Sequence, residues 1–309
     1  MKKIAAIDIG SNAVRMLICY IIPSGKKYIF QKNSYLRLPI RLGEDSFKDG
    51  IISKSKIHKL SDAILSFKYI MNVHDVEYYQ IYATSALRES KNSKEVILEI
   101  KKTTGLKINL ISGLKEAKII SKGNSLEKLQ FNRSFLYVDV GGGSTEYSIL
   151  RRGEEKKSKS FKIGTVRLLN NLVDDKLLID IKYWLGTYLD DQDKIKLFAT
   201  GGNINKIQSM TGSKIGKPIS YLSLKDLYNN LTKYSYQERM VKFGLNPDRA
   251  DVIIPALKIF ITTMESVGSN KLFVPKVGLV DGMILSLIHI SEPTRRRGMG
   301  VGGVGVEKK

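Results

Sequence analysis

Apolar positions along the chain come in short runs broken by glycine and hydroxyl residues, and the runs keep two different periods. Around Asp139, an apolar run from Leu136 stops at the aspartate and Gly141, Gly142 and Gly143 turn it. A second apolar segment through Ile149 and Leu150 follows at once, which predicts a strand, a tight turn and a returning strand. The start of the chain repeats the scheme, with an apolar run ending at Asp8, then Gly10, Ser11 and Asn12, then a second run that contains Arg15. Two such copies about half a chain apart predict two related lobes facing each other.

Between and beyond these hairpins the period changes. Residues 27–41 read as a third strand of a meander, and Ile57, Leu60, Ile64, Leu65 and Ile70 recur at helical spacing behind Ser55 as a candidate N-cap. A short buried strand at 79–83 runs into a hydroxyl-rich turn carrying Arg88. Asn92 then opens a helix that Gly105 closes, and residues 107–111 read as another strand. Ser112 and Gly113 turn that strand into a helix with Glu116 in its first turn. After the central hairpin, strands are expected at 158–163, 195–200 and 271–274. A helix headed by Arg167 and one following Gly201, Gly202 and Asn203 are expected as well. Ser223 to Asp226 reads as a capping box, Arg249 to Met264 as a largely buried helix that Pro255 would kink if it lies inside, and Gly278 to Asp281 as the start of a last helix.

Several of these breaks carry chemistry. Three consecutive glycines let backbone N–H groups approach a phosphate, and Ser144 and Thr145 add hydroxyl donors; the same residues would also serve a plain hairpin with Asp139 capping its turn. Asp139 stands at a strand end, where a carboxylate can hold a metal beside phosphates. Arg88 can grip a phosphate with two parallel hydrogen bonds or pair with Glu89 or Glu95 at the surface. Glu116 is either a solvated first-turn glutamate favoured by the helix dipole or a general base that orients a water towards phosphorus.

Composition narrows the setting. With 309 residues, 42% of them hydrophobic, the chain can bury real cores, and its length favours two domains. The basic start leads straight into a strand containing Asp8, so no leader pattern is seen. No apolar run approaches the roughly 20 residues of a spanning helix, and the single Cys19 suits a buried thiol in a cytoplasmic protein. The net charge of +21 would draw in polyanions, although lysine is spread along the whole chain together with isoleucine and asparagine, as in a compositional bias. Residues 285–309 resemble a translated sequencing-library adapter followed by a low-complexity stretch, so they are set aside as an irregular, non-native tail. The tail carries five basic and two acidic residues, which leaves +18 on the remainder.

Taken in order, five motifs resemble the exopolyphosphatase/guanosine pentaphosphate phosphatase (Ppx/GppA) family of the actin-like ATPase superfamily. They are residues 6–12 with Arg15, residues 83–88, residues 111–113 with Glu116 and Ala117, residues 139–146, and Gly201 with Gly202. The resemblance covers nearly all of 3–284 and implies an α/β fold of two ribonuclease H-like lobes, 1–126 and 127–284, with an active-site cleft between them. It implies removal of the terminal phosphate of polyphosphate by metal-assisted water attack, with guanosine pentaphosphate as the alternative substrate. It makes Glu116 and Arg88 catalytic, with Asp139, Glu146 and Asp8 at a Mg²⁺ site. Gly10, Ser11, Asn12, Arg15, Gly141, Gly142, Gly143, Ser144 and Thr145 would bind phosphates. Lys115 departs from the family pattern, in which a second glutamate often stands. No membrane or nucleic-acid partner is expected, and a homodimer is left open. Two further readings are an actin-like kinase or ATPase using Gly201, Gly202 and Asn203 to hold adenosine, and a non-catalytic polyanion-binding protein.

Overall fold

The computed structural model describes every residue except 26, 124–133, 152–153, 190–194, 215, 276–277, 292–306 and 309. Its frame is a pair of β-sheets built to one plan. The first contains β1 (Lys2–Ile9), β2 (Val14–Ser24), β3 (Lys27–Leu38), β4 (Tyr78–Ala83) and β5 (Asn109–Leu110), in the order β3-β2-β1-β4-β5. The second contains β6 (Ser134–Val140), β7 (Thr145–Arg151), β8 (Glu154–Phe161), β9 (Lys196–Thr200), β10 (Ile219–Ser220) and β11 (Lys271–Phe273), in the order β8-β7-β6-β9-β11-β10. In both sheets the first three strands form an antiparallel meander and the central strand then pairs in parallel with the next, β1 with β4 and β6 with β9. The duplication expected from the two hairpins is therefore a duplication of topology. The boundary expected at 126/127 lies outside the described residues.

The period of two along the central strands decides which side chains reach the site. In β1, Ala5, Ile7 and Ile9 enter a core with α2 (Lys54–Val73) and α4 (Ser93–Thr104), whereas Ile4 and Ala6 face the other way, and Asp8 continues that second set. In β6, Leu136, Val138 and Val140 enter the second core, and Phe135, Tyr137 and then Asp139 occupy the opposite face. Each aspartate thus ends an otherwise apolar row on the face away from its lobe's larger core.

The remaining elements connect this frame. They are α1 (Leu42–Lys48), α3 (Ser85–Glu89), α5 (Gly113–Gly123), α6 (Thr165–Leu169), α7 (Asp175–Tyr188), α8 (Gly202–Met210), α9 (Tyr221–Leu231), α10 (Tyr236–Phe243), α11 (Pro247–Ala250), α12 (Ile253–Ser266) and α13 (Leu279–Ser291). Two of them join the lobes. Helix α5 follows a strand of the first sheet yet packs against β7 and β8 of the second, and α13 returns from the second half of the chain to lie on α5 and β1. Leu279, Val280, Met283, Ile284 and Leu287 of α13 are buried there with Ile4, Ala6 and Cys19, each worth about 1.5–3 kcal/mol relative to exposure for the larger side chains.

Several local expectations shift. The cap of α2 is Ser53, whose hydroxyl accepts from Lys56 N, because Ser55 already lies in the first turn. Likewise α9 is capped by Ser220 and leaves Ser223 inside the helix. The single helix expected over 249–264 is two, and Pro255 does not kink it: it is the third residue of α12, where its missing N–H has no intrahelical partner to lose. The strand expected at 107–111 shrinks to Asn109–Leu110. The irregular tail begins later than 284, since α13 continues to Ser291, and Glu307–Lys308 (β12) pairs with β4; the rest of 285–309 lies outside the described residues.

Candidate active site

The two hairpin turns are closed identically. Gly10 N donates to Ala13 O at 3.2 Å, and Gly141 N donates to Ser144 O at 2.9 Å. The flanking registers correspond too, Asp8 opposite Arg15 in the first hairpin and Asp139 opposite Glu146 in the second. The turns then meet. A Cβ on Gly142 would lie 2.8 Å from Ser11 Cβ, and a Cβ on Gly164 would lie 2.4 Å from Gly142 O, so only glycine permits this approach of backbone to backbone. Ser11 and Ser85 share a hydrogen bond at 2.9 Å on the first-lobe side.

Between the lobes lies a cavity of about 380 Å³ whose lining includes Gly10, Ser11, Asn12 and Arg15 from the first turn and Gly141, Gly142 and Ser144 from the second. Asp8, Glu116 and Asp139 line it as well. Two expected phosphate ligands face elsewhere. Gly143 packs against Phe47 and Ser85, and the Thr145 hydroxyl is spent on Ile163 O at 2.6 Å. Arg88 donates to Ile111 O at 2.7 Å and lines a neighbouring cavity that shares Ser144 with the first.

The acidic residues form one buried group. Carboxylate oxygens of Glu116, Asp139 and Glu146 all lie within 4.8 Å of one another, with Glu116 delivered from the first lobe by α5 and the other two from adjacent strands of the second. Ser144 and Ser160 both donate to Glu146 Oε1, at 2.6 and 2.8 Å, and Thr200 donates to Asp139 Oδ1 at 2.6 Å. Asp8 stands apart from this trio because Arg15 Nη1 bonds its Oδ2 at 2.6 Å. Glu116 Oε2 and Asp8 Oδ1 are buried without a protein partner.

Burial, followed by the charges of Glu146, Asp8 and Asp139, pushes the Glu116 carboxyl well above the usual range, and only Arg88 opposes. Glu146 rises to about 7, through burial first and Asp139 second, against the hydrogen bonds from its two serines. Asp139 is raised by burial in spite of Thr200 and Arg15. Three carboxylates that cannot all ionise together cheaply, one with an unpartnered oxygen, form a donor set that could hold a hard divalent cation.

Sequence reading missed a cationic wall. Lys32, Tyr35 and Arg37 of β3 and Arg249 of α11 also line the cavity. Arg37 is paired with Asp248, Lys32 with Asp281, and Arg249 donates to Gly202 O. Burial and the neighbouring Arg37 and Arg15 lower Arg249 to about 10, against the opposing charge of Asp248. One signal was present: in the meander, Arg37 stands directly opposite Arg15, so two arginines occupy one face of one strand pair. Arg167 closes the far side, where its Nε donates to Gly143 O at 2.8 Å, its Nη2 to Glu89 Oε2 at 2.7 Å, and its guanidinium lies 4.0 Å over the Phe47 ring.

The sequence model of the Ppx/GppA phosphatase family matches residues 24–183, just over half of the chain. The chain belongs to the Ppx/GppA phosphatase family. Among curated relatives, a bifunctional 3-dehydroquinate synthase/phosphatase of Fusobacterium nucleatum is 30% identical over 308 residues, covering 91% of this chain and 46% of that protein. A guanosine-5'-triphosphate,3'-diphosphate pyrophosphatase of Pseudoalteromonas translucida is 27% identical over 309 residues, covering 94% of this chain and 61% of that protein. The chain therefore spans about half to three-fifths of the length of these relatives. The crystal structure of an exopolyphosphatase from Cytophaga hutchinsonii has the same fold, with a TM-score of 0.82 at 22% identity over 94% of this chain and 99% of that one. The expected α/β architecture of two lobes is thus shared with that structure.

Proposed function

We propose that this chain removes the terminal phosphate of inorganic polyphosphate by directing a water molecule at the last phosphorus atom. The observation that carries the reading is the meeting of the two hairpin turns over one cavity beside a buried acidic trio whose Glu116 has an unpartnered oxygen. Backbone amides of the two turns, with Ser11 and Ser144, hold the terminal phosphoryl group from both lobes. Arg15, Arg37 and Arg249 hold the phosphates that follow. Glu116 orients the water in line with the leaving oxygen and accepts its proton, for which a carboxylate with a raised pKa is suited near neutral pH. Arg88, on the side of the neighbouring cavity, lowers the carboxyls of Glu116 and Glu146 and so acts on the reaction through them. Asp139 and Glu146 would hold Mg²⁺, which when bound neutralises charge on the substrate phosphates. Asp8 serves the site by fixing Arg15.

A relative named for guanosine-5'-triphosphate,3'-diphosphate favours guanosine pentaphosphate as the second substrate, since a nucleotide tetra- or pentaphosphate presents the same terminal anhydride. The reading includes a cytoplasmic location; among the described residues no helix is long and apolar enough to cross a membrane. Phosphate release from polyphosphate, guanosine pentaphosphate and ATP, compared with Mg²⁺ and with EDTA, tests it. Release from polyphosphate at least about tenfold faster than from ATP, and abolished by EDTA, is the expected result. Equal release from all three, or none, overturns it, and a preference for guanosine pentaphosphate selects the second substrate.

A further inference from the structure

A second cavity, of about 470 Å³, opens between the lobes behind the acidic trio. It is lined by Arg88, Ser112 and Leu114 from the first lobe and by Lys159, Ser160 and Lys162 on β8 and its exit, while Ser144 belongs to both cavities. The partition between them is thin and made of small residues. Ser144 and Ser160 meet on the same oxygen of Glu146, and Gly113 lies so close to them that an added Cβ would sit 2.5 Å from Ser160 Oγ and 3.2 Å from Glu146 Oε1. Glu89 accepts from Arg167 at 2.7 Å and lies 3.5 Å from Lys162 and 3.9 Å from Arg88, so one carboxylate faces three cations.

The front cavity is where the chain of phosphates lies in the proposed reaction, and the terminal group sits deepest, against the trio. Once its anhydride is cut, the freed orthophosphate is enclosed by the shortened chain on one side and by the partition on the other. Departure through the front would require the rest of the polyanion to leave first. Through the back it passes Ser144 and Ser160, whose hydroxyls can turn from Glu146 to hydrogen-bond it, and then meets the cations of the second cavity. We propose that the second cavity is the exit and transient binding site for orthophosphate, with Arg88 and Lys162 drawing it out past Ser144 and Ser160. This inference rests on the polyphosphate reading of the front cavity.

The test uses the full chain and separates bond cleavage from product departure. Acid-quenched samples report cleavage in a single turnover of polyphosphate, and a coupled fluorescent phosphate sensor reports release from the same mixture. Two variants avoid the reacting groups: Lys162→Glu reverses the charge of the vestibule's lysine, and Leu114→Trp adds bulk at a lining position that is 54% exposed. For both, cleavage is expected within about twofold of the parent, with melting temperatures matched, while release slows by about tenfold and lags behind cleavage. Inorganic phosphate alone should bind the charge-reversed variant about tenfold more weakly. Release that keeps pace with cleavage in both variants overturns the exit. A parent that cleaves no polyphosphate removes the reading beneath it, and that failure shows as absent cleavage rather than as unslowed release.

Discussion

The two hairpins share a backbone and differ in one cross-strand partner. Opposite the aspartate that ends each central strand, the first hairpin places Arg15 and the second Glu146. In the first, the carboxylate is neutralised within the protein by a guanidinium at 2.6 Å. In the second, a carboxylate faces a carboxylate and α5 adds a third, so the cluster is left to be balanced by protons or, under the proposed function, by a bound cation. One supersecondary device therefore has two settings: the first lobe neutralises its strand-end carboxylate internally, and the second gathers carboxylates that, under the proposed function, a cation would load.

The largest expected effect breaks the loaded side at its third carboxylate. Glu116→Gln keeps size and hydrogen bonding but cannot take a proton from water, and turnover on polyphosphate should fall by ~10²-fold or more while the chain still binds. Rates equal to the parent's in a phosphate-release assay, with matched binding, would remove Glu116 from the role of base.

The next effect sets the hairpins against each other with opposite signs. Arg15→Met leaves Asp8 buried, 2% exposed, without its partner and should destabilise by about 3 kcal/mol, the lower end for breaking such a pair because the guanidinium is partly exposed. Glu146→Gln removes one of three mutually repelling carboxylates, and in EDTA it should leave stability unchanged or raise it. Denaturant unfolding of both variants in EDTA checks the pair; the same sign for both would mean that the second hairpin is not strained by its charges.

A pH series sharpens the same contrast. Glu146 is raised to about 7 in the folded cation-free protein from an ordinary value of 4.5, so between these values the folded state holds more protons than the unfolded chain. Its contribution to stability is therefore full below the lower value, declines as pH rises through the window and is flat above it. Glu44 and Asp45, which are lowered by Lys56 and other partners, act below that window and with the opposite slope. Melting curves in EDTA should fall from about pH 5 to about pH 7.5, and saturating Mg²⁺ should abolish the fall and add about 2.7 kcal/mol at a hundred times its dissociation constant. A melting temperature independent of pH in EDTA would separate the trio from this account.

What was legible in the sequence was local. Alternating runs that end in aspartate and glycine announce both hairpins, and the order of the motifs announces the family. Boundaries with two equivalent candidates were not decidable, because Ser53 and Ser55, or Ser220 and Ser223, offer the same hydroxyl to a helix start and packing chooses between them. Most hidden were contacts made at long range. Nothing local says that α5 leaves the first sheet to lay Glu116 on β7, that α13 returns to β1, or that Arg249 faces Gly202 across 47 residues. Thr145 misled for the opposite reason. Its hydroxyl lies in the motif, but the strand's period of two turns it inward to Ile163 O.

The smallest effect tests how the loaded site is tuned. Beside each strand-end aspartate, the parallel neighbour strand supplies one residue in register, Tyr82 beside Asp8 and Thr200 beside Asp139. Thr200 donates to Asp139 Oδ1 at 2.6 Å and so favours the charged carboxylate, whereas Tyr82 is packed in the apolar contact with α5 and α13 and has no such part. Thr200→Val, nearly isosteric, removes that donor, so Asp139 holds its proton more tightly and turns more freely. Mg²⁺ affinity should drop by about tenfold, with turnover at saturating Mg²⁺ changed far less, because supporting hydrogen bonds orient a ligand rather than supply it. Tyr82→Phe is the matched control and should leave Mg²⁺ affinity within about twofold. If calorimetric titration found both variants equally weakened, the hydrogen bond would not be tuning the cation site, and the two lobes would be less different in function than their cross-strand partners make them.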